Sequence, residues 1–198
     1  MNSDPITRLR YGNTNTFYIS GAAGGLLIDT DYAGMLPGFF RAIKAADIRL
    51  ADITFVMATH YHPDHVGLIG ELQELGVTLL IADIQLPFAH YADGIFTREK
   101  QPSWRPVNEQ TAKVISVGES RSFLSDLGIS GEIIRTPSHS EDSITVILDS
   151  GTCFVGDLEP FSFLAAYESN VALKQDWDRI MDYHPKKILY AHANGIEI

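Results

Sequence analysis

The chain has 198 residues, 45% hydrophobic and 20% charged, with a formal net charge of −10. That length predicts one domain over 1–198, able to bury roughly 70% of the surface that its unfolded chain would expose. The acidity disfavours a polyanion such as nucleic acid as the main partner, and no apolar run reaches the about 18 residues of a membrane-spanning helix.

Residues 1–5 carry no basic stretch followed by an apolar one, so no export signal is expected. Segments 6–11 and 16–20 read as strands around the turn-rich Gly12-Asn13-Thr14-Asn15. Gly24-Gly25 leads into a short apolar strand over 26–30, and a helix follows over about 36–46 with Phe39, Phe40 and Ile43 near one face. The continuous apolar run 53–58 predicts a strand buried on both faces. A histidine-rich loop is expected where that strand stops, opening at the sheet's C-terminal edge. A helix over 68–75, ended by Gly76, and a strand over 77–82 come next.

Segment 83–112 holds Pro87, Pro102 and Pro106 among Phe88, Tyr91, Phe96 and Trp104, and reads as irregular structure with one or two short helices. Four more strands are expected over 113–117, 132–135, 143–148 and 152–155, then a helix over 171–183 and a final strand over 187–190. Strands in both halves with helices between them predict a layered α/β or α+β domain, sheets inside and helices outside. The single Cys153 cannot form an internal disulfide. It sits in an expected core strand, and a cytoplasmic location is predicted.

The chemistry concentrates in Thr59-His60-Tyr61-His62-Pro63-Asp64-His65. Neutral imidazole is a common ligand for zinc and similar ions, and carboxylate supplies an anionic oxygen. In extended chain, residues two apart point the same way, so His60 and His62 can converge on one ion. Asp64 and His65 follow the turn at Pro63 and can face a second position. A lone histidine identifies nothing, but this dense spacing is specific. Three further strand ends offer one ligand-type residue each: His139 in Thr136-Pro137-Ser138-His139-Ser140, Asp157 after Val155-Gly156, and His192 in Ala191-His192-Ala193. Gly156 lets the backbone bend where a carboxylate must point inward.

In this order the chain resembles the metallo-β-lactamase-fold hydrolase superfamily, in its glyoxalase II and lactonase-like branch. The matching parts are Leu27-Ile28-Asp29-Thr30, His60-x-His62-x-Asp64-His65, His139, Gly156-Asp157 and His192. The resemblance implies a four-layer αβ/βα sandwich with two divalent metal ions at one rim of the sheets. It assigns His60, His62 and His139 to the first ion, and Asp64, His65 and His192 to the second, with Asp157 between them. Asp29 matches a position that supports the site from behind the ligands, and a plain strand-end role is the alternative. The family often reads Gly-His-Thr and then Pro-Gly-Ser around the single histidine. Here the loop is the more polar Ser138-His139-Ser140-Glu141-Asp142-Ser143. His62 argues against the flavodiiron branch, which has an acid there. The chain ends shortly after His192, so the helical C-terminal domain of glyoxalase II, and with it that activity, is not expected; nor is the RNA-gripping arm of tRNA-processing relatives.

Two ions sharing a water would lower its pKa from 15.7 towards about 7 and give a bridging hydroxide nucleophile. Asp157 and Asp64 are the candidate catalytic carboxylates, one bridging and one orienting the hydroxide. The ligand set suits zinc, with iron or manganese also fitting. The expected reaction is hydrolysis of a small carboxyl derivative: a thioester, lactone or other ester. β-Lactam or phosphodiester hydrolysis, and a non-catalytic metal-binding sensor or scaffold, are the alternatives. His90 and His184 fall outside the pattern and read as surface or core residues, and Tyr61 and Tyr190 as packing residues beside ligands. Phe88, Tyr91, Phe96, Trp104, Phe161, Phe163 and Tyr167 are expected to wall an apolar pocket, form a homodimer interface, or join the core.

Overall fold

The computed structural model describes residues 6–167 and 169–198; the expectation about an export signal at 1–5 lies outside them. Strands β1 (Ile6–Arg10), β2 (Asn15–Ser20), β3 (Gly25–Ile28), β4 (Ile53–Met57), β5 (Thr78–Ala82) and β6 (Lys113–Ile115) form one sheet in that order. β1 to β3 pair antiparallel, and β3 to β6 parallel. Strands β7 (Gly131–Arg135), β8 (Ile144–Leu148), β9 (Thr152–Phe154), β10 (Lys187–Leu189) and β11 (Ile196–Glu197) form a second sheet, ordered β11-β10-β9-β8-β7. Only the β9–β10 pair in it is parallel. The helices are α1 (Leu36–Ala45), α2 (Pro63–Val66), α3 (Ile69–Glu74), α4 (Asp93–Arg98), α5 (Ser120–Asp126) and α6 (Val171–Met181).

The layering follows from strand geometry, because successive side chains leave a strand on opposite faces. Leu26, Ile28, Met57 and Leu80 enter a core shared with Val146, Phe154 and Leu189 of the second sheet. Their neighbours Leu27, Val56, Leu79 and Ile81 face the other way, onto Phe39 and Ile43 of α1 and Ile69 and Leu72 of α3. On the far side, Ile147, Cys153 and Ile188 meet Leu173, Trp177 and Ile180 of α6. Strands covered on both faces carry apolar residues on both, which is why β4, apart from the half-buried Thr54, reads as a run rather than an alternation. The result is helix, sheet, sheet, helix: the four-layer mixed αβ/βα arrangement expected. No helix among the described residues is long and apolar enough to cross a membrane.

The elements depart from the sequence reading in several places: 3-10 turns form at Leu50–Asp52, Val117–Glu119 and Phe161–Tyr167, and the strand expected over 113–117 ends at Ile115. The helix expected over 68–75 is preceded by α2, so Asp64 and His65 sit on a helical turn and not on a loop. Pro63 explains this: its φ is preset for a first helical turn, where its missing N–H is not needed. α5 was not expected, since its seven residues are too few to show a period; Leu124, and Leu127 just beyond it, enter the core between the sheets. β11, two residues long, also escapes sequence patterning. Segment 83–112 is irregular as read, with 3-10 turns at Asp83–Phe88 and Glu109–Thr111 around α4.

Candidate metal centre

Residues just beyond the C-terminal ends of β3, β4, β7, β9 and β10 meet at one edge of the sandwich. His60 Nε2 lies 3.0 Å from His62 Nδ1, which lies 3.3 Å from His139 Nε2. Across from them, His192 Nε2 is 3.1 Å from Asp64 Oδ2. Asp157 stands between the two halves with its oxygens divided. Oδ1 is 3.3 Å from both His65 Nε2 and His192 Nε2, and Oδ2 is 3.8 Å from His139 Nε2 and 4.0 Å from His60 Nε2. The donor atoms form three overlapping groups, His60/His62/His139, His60/His65/Asp157 and Asp64/His65/His192, each within 4.8 Å. All the candidate ligands are thus brought together.

Two observations test whether these residues fit metal ions. Ligands about 2.0–2.1 Å from a tetrahedral ion are about 3.3 Å apart, close to the spacings of the three-histidine group. His65 Nε2 and Asp157 Oδ1 are buried with no hydrogen-bond partner, facing each other without the alignment a bond needs. Buried polar atoms left so are costly unless something else satisfies them. The donor set fits.

The electrostatics divide the ligands. Burial holds His60 well below the usual imidazole range, and the neighbouring histidines push it further down. Burial also lowers His139. These two are neutral and ready to donate a lone pair. Burial alone would lower His65 too, but the carboxylates of Asp29 and Asp157 outweigh it and raise it to about 10. The close contact between His192 and the Asp64 carboxylate raises His192 and lowers Asp64 to about 2. Burial opposes the charge on Asp157, yet His65 and the other imidazoles keep it below the ordinary carboxylate value.

Asp29 and Gly156 show how the backbone is bent to present these groups. Asp29 adopts φ +57°, left-handed backbone that asparagine and aspartate tolerate better than other side chains. From there its Oδ1 accepts the Thr59 N–H at 2.7 Å, and its Oδ2 lies 3.3 Å from His65 Nδ1. Gly156 adopts φ +58°, and a Cβ there would lie 2.4 Å from Thr59 Oγ1. Glycine lets β9 turn against Thr59 and aim Asp157 inward.

Several supporting residues were not singled out from the sequence: Gln85, Asp142 and Asp176 behind the histidine loops, and Thr14 and Asn15 behind His192 and Asp64. Asp176 of α6, 1% exposed, accepts the Ser138 N–H at 2.7 Å beside His139. A buried amide, hydroxyl or carboxylate carries no local signature: Asp142 lies in the polar loop after His139, and Thr14 and Asn15 lie in the turn-rich stretch after β1, without any pattern that marks them as supports.

The aromatic group divides. Phe96 and Trp104 stack at 4.3 Å in the outer core with Phe88 against it, and Phe161 packs edge-on to Trp177. Tyr91 and Phe163 are exposed, and the Tyr91 ring lies 5.4 Å from His62. The Tyr167 side chain lies outside the described residues. Tyr61 is core, and the Tyr190 hydroxyl accepts the Phe161 N–H at 3.2 Å. His90 and His184 are exposed, His90 bridging Asp93 and Glu109 at 2.8 Å each. His139, Asp157 and His192 open onto a cleft of about 290 Å³, walled also by Leu158, Pro160 and Tyr190. A larger groove of about 690 Å³ beside Arg135 and Tyr183 holds none of the candidate ligands.

The family model of the Metallo-beta-lactamase superfamily matches residues 9–192. The chain is 25% identical over 184 residues to "Beta-lactamase-like protein 2 homolog" of Drosophila melanogaster, covering 93% of this chain and 60% of the relative. It is 24% identical over 149 residues to "Atrochrysone carboxyl ACP thioesterase AacuM" of Aspergillus aculeatus, covering 73% of this chain and 39% of the relative. The chain therefore spans three fifths or less of the length of these curated relatives. Among solved structures it resembles the metallo-beta-lactamase family protein TTHA1429 of Thermus thermophilus, at TM-score 0.74 and 19% identity, covering 98% of this chain and 74% of that one. It also resembles TTHA1623 in a di-iron-bound form, at TM-score 0.73 and 18% identity, covering 98% and 94%. These likenesses show the fold.

Proposed function

The chain belongs to the metallo-beta-lactamase superfamily, and from that premise we propose a hydrolase with two divalent ions that cleaves a small carboxyl derivative: a thioester, lactone or other ester. The observation that carries the reading is Asp157, whose two oxygens face the two halves of one overlapping ligand cluster. His60, His62 and His139 would hold one ion, Asp64, His65 and His192 the other, and Asp157 both. Bound there, the ions would supply a water of pKa lowered towards about 7 and a Lewis acid for the scissile carbonyl.

The chain's own residues do the rest. Asp64, kept ionised by His192, can accept a hydrogen bond from the attacking water and orient it. Asp29 holds His65 and the backbone before His60 in place. Leu158, Pro160 and Tyr190 give the cleft an apolar wall that suits an acyl or ring portion beside the cleaved bond. The Aspergillus aculeatus relative is named as a thioesterase, which supports the thioester member of the class. Zinc suits the nitrogen-rich set, and the di-iron neighbour supports iron as the second candidate. A single domain over 1–198 and a reducing, cytoplasmic setting complete the proposal; Cys153 is buried and pushed up to about 12 by desolvation, so it plays no nucleophilic part.

The test is metal analysis of purified protein after loading with zinc, iron or manganese, with a panel of thioester, lactone, ester, β-lactam and phosphodiester substrates. Two ions per chain and chelator-sensitive turnover of a carboxyl derivative are expected. Fewer than two ions per chain after loading, or turnover that survives chelation, would overturn the reading.

A further inference from the structure

The candidate ligands hang on two buried polar frames. Gln85, fully buried, donates from Nε2 to the carbonyls of Ala58 at 3.1 Å, Thr59 at 3.3 Å and Asp142 at 3.2 Å. Asp142 in turn accepts the Tyr61 N–H at 2.6 Å, between His60 and His62. The Ile144 N–H donates to the Thr59 carbonyl at 2.9 Å. Together these bonds tie the strand end carrying His60 and His62 to the loop carrying His139.

The other half is held from the β1–β2 turn and the end of β3. The Thr14 hydroxyl donates to the Asp64 carbonyl at 2.7 Å. Asn15 Nδ2 donates to the carbonyls of Tyr190 at 2.9 Å and Ala193 at 3.0 Å, on either side of His192. The Asn15 N–H donates to the Ala191 carbonyl at 2.7 Å. The Thr30 hydroxyl donates to the His65 carbonyl at 3.0 Å. The frames meet at Asp29, which faces Thr59 and His65, and at Asp157.

We propose that Gln85 is a positioning residue for the His60/His62/His139 half and that Asn15, through the backbone on both sides of His192, is one for the other half, so that the two metal positions are assembled and filled independently. This rests on the two-metal reading above. Each side chain satisfies backbone carbonyls beside ligands without reaching the ligand atoms, so its loss should shift ligand geometry at one position and spare the other. Losing such a supporting partner typically lowers metal affinity about 10–100-fold.

The experiment is zinc titration of metal-free wild-type protein, Gln85→Met, Asn15→Leu and the double variant, followed by calorimetry and by imidazole NMR. Gln85→Met should weaken one binding step about 10–100-fold and leave the other within about twofold, so that the first equivalent of zinc shifts the His65 and His192 resonances. Asn15→Leu should do the reverse, with His60, His62 and His139 shifting first, and the double variant should weaken both steps. Should either variant fail to fold by circular dichroism, Asp142→Ala and Thr14→Val each cut one bond of the same frames and carry the same expectation. If a single variant weakens both steps together, or neither step, independence is overturned while the two-metal reading stands. A wild-type chain that binds fewer than two ions overturns that reading and this inference with it.

Discussion

Gly156→Ala tests the turn on which the site depends. The new methyl would sit 2.4 Å from Thr59 Oγ1 and 2.8 Å from Thr59 Cβ, on backbone at φ +58°. Left-handed backbone costs a side chain about 1–2 kcal/mol. Forcing a methyl into a packed site costs about 1–3 kcal/mol more, so the substitution should lower stability by about 2–5 kcal/mol. Thr59 cannot yield freely, because its N–H and hydroxyl are bonded to Asp29, at 2.7 Å and 3.0 Å to Oδ1. The displacement should therefore reach His60 on one side and Asp157 on the other, and reduce metal binding as well. Urea denaturation of the metal-free protein measures the first effect, and zinc titration the second. A Gly156→Ala protein within about 0.5 kcal/mol of wild type, with unchanged zinc affinity, would refute the argument.

Asp157→Asn keeps the shape of the side chain but removes the charge that faces both halves. Zinc affinity should fall by more than the about 100-fold associated with a supporting residue, as competition with a chromophoric chelator would show. The pH dependence of the metal-free protein has a defined sign. His65 is raised from 6.5 to about 10 on folding, so its contribution to stability is full below pH 6.5 and is lost as pH rises through about 10. Asp64 is lowered from 3.8 to about 2, so its contribution is present above pH 3.8 and is lost as pH falls through about 2. Urea midpoints should decline at both ends, while zinc affinity climbs from pH 6 to 9 as protons cease to compete. Trp177→Ala removes a 1% exposed ring whose indole N–H donates to the Glu159 carbonyl at 3.0 Å. It should cost about 3–5 kcal/mol by denaturant titration and raise KM more than it lowers kcat, because Glu159 lines the metal cleft.

Much of the fold is written in short-range pattern. The largely apolar run of β4 announced a strand covered on both faces, and the ligand-type residues after β4, β7, β9 and β10 could be read in order along the chain. Segment 83–112 resisted, because its aromatic residues follow no period. Phe96 and Trp104 are core and Tyr91 is exposed beside His62 only because of what packs on each. α2 was hidden in a motif read as a loop, and α5 was too short to show a face.

What the sequence determined by itself was the inventory: a histidine and carboxylate set at strand ends, in an order specific enough to indicate a family. Strand period and residue chemistry are local properties, readable one segment at a time. Tertiary structure decided which donors share a position, how Asp157 divides its oxygens between the halves, and that Gln85 and Asn15 are buried behind them. Asn15 bonds to a carbonyl 175 residues away. The value of such a polar group is set by what surrounds it after folding, and no local pattern encodes that.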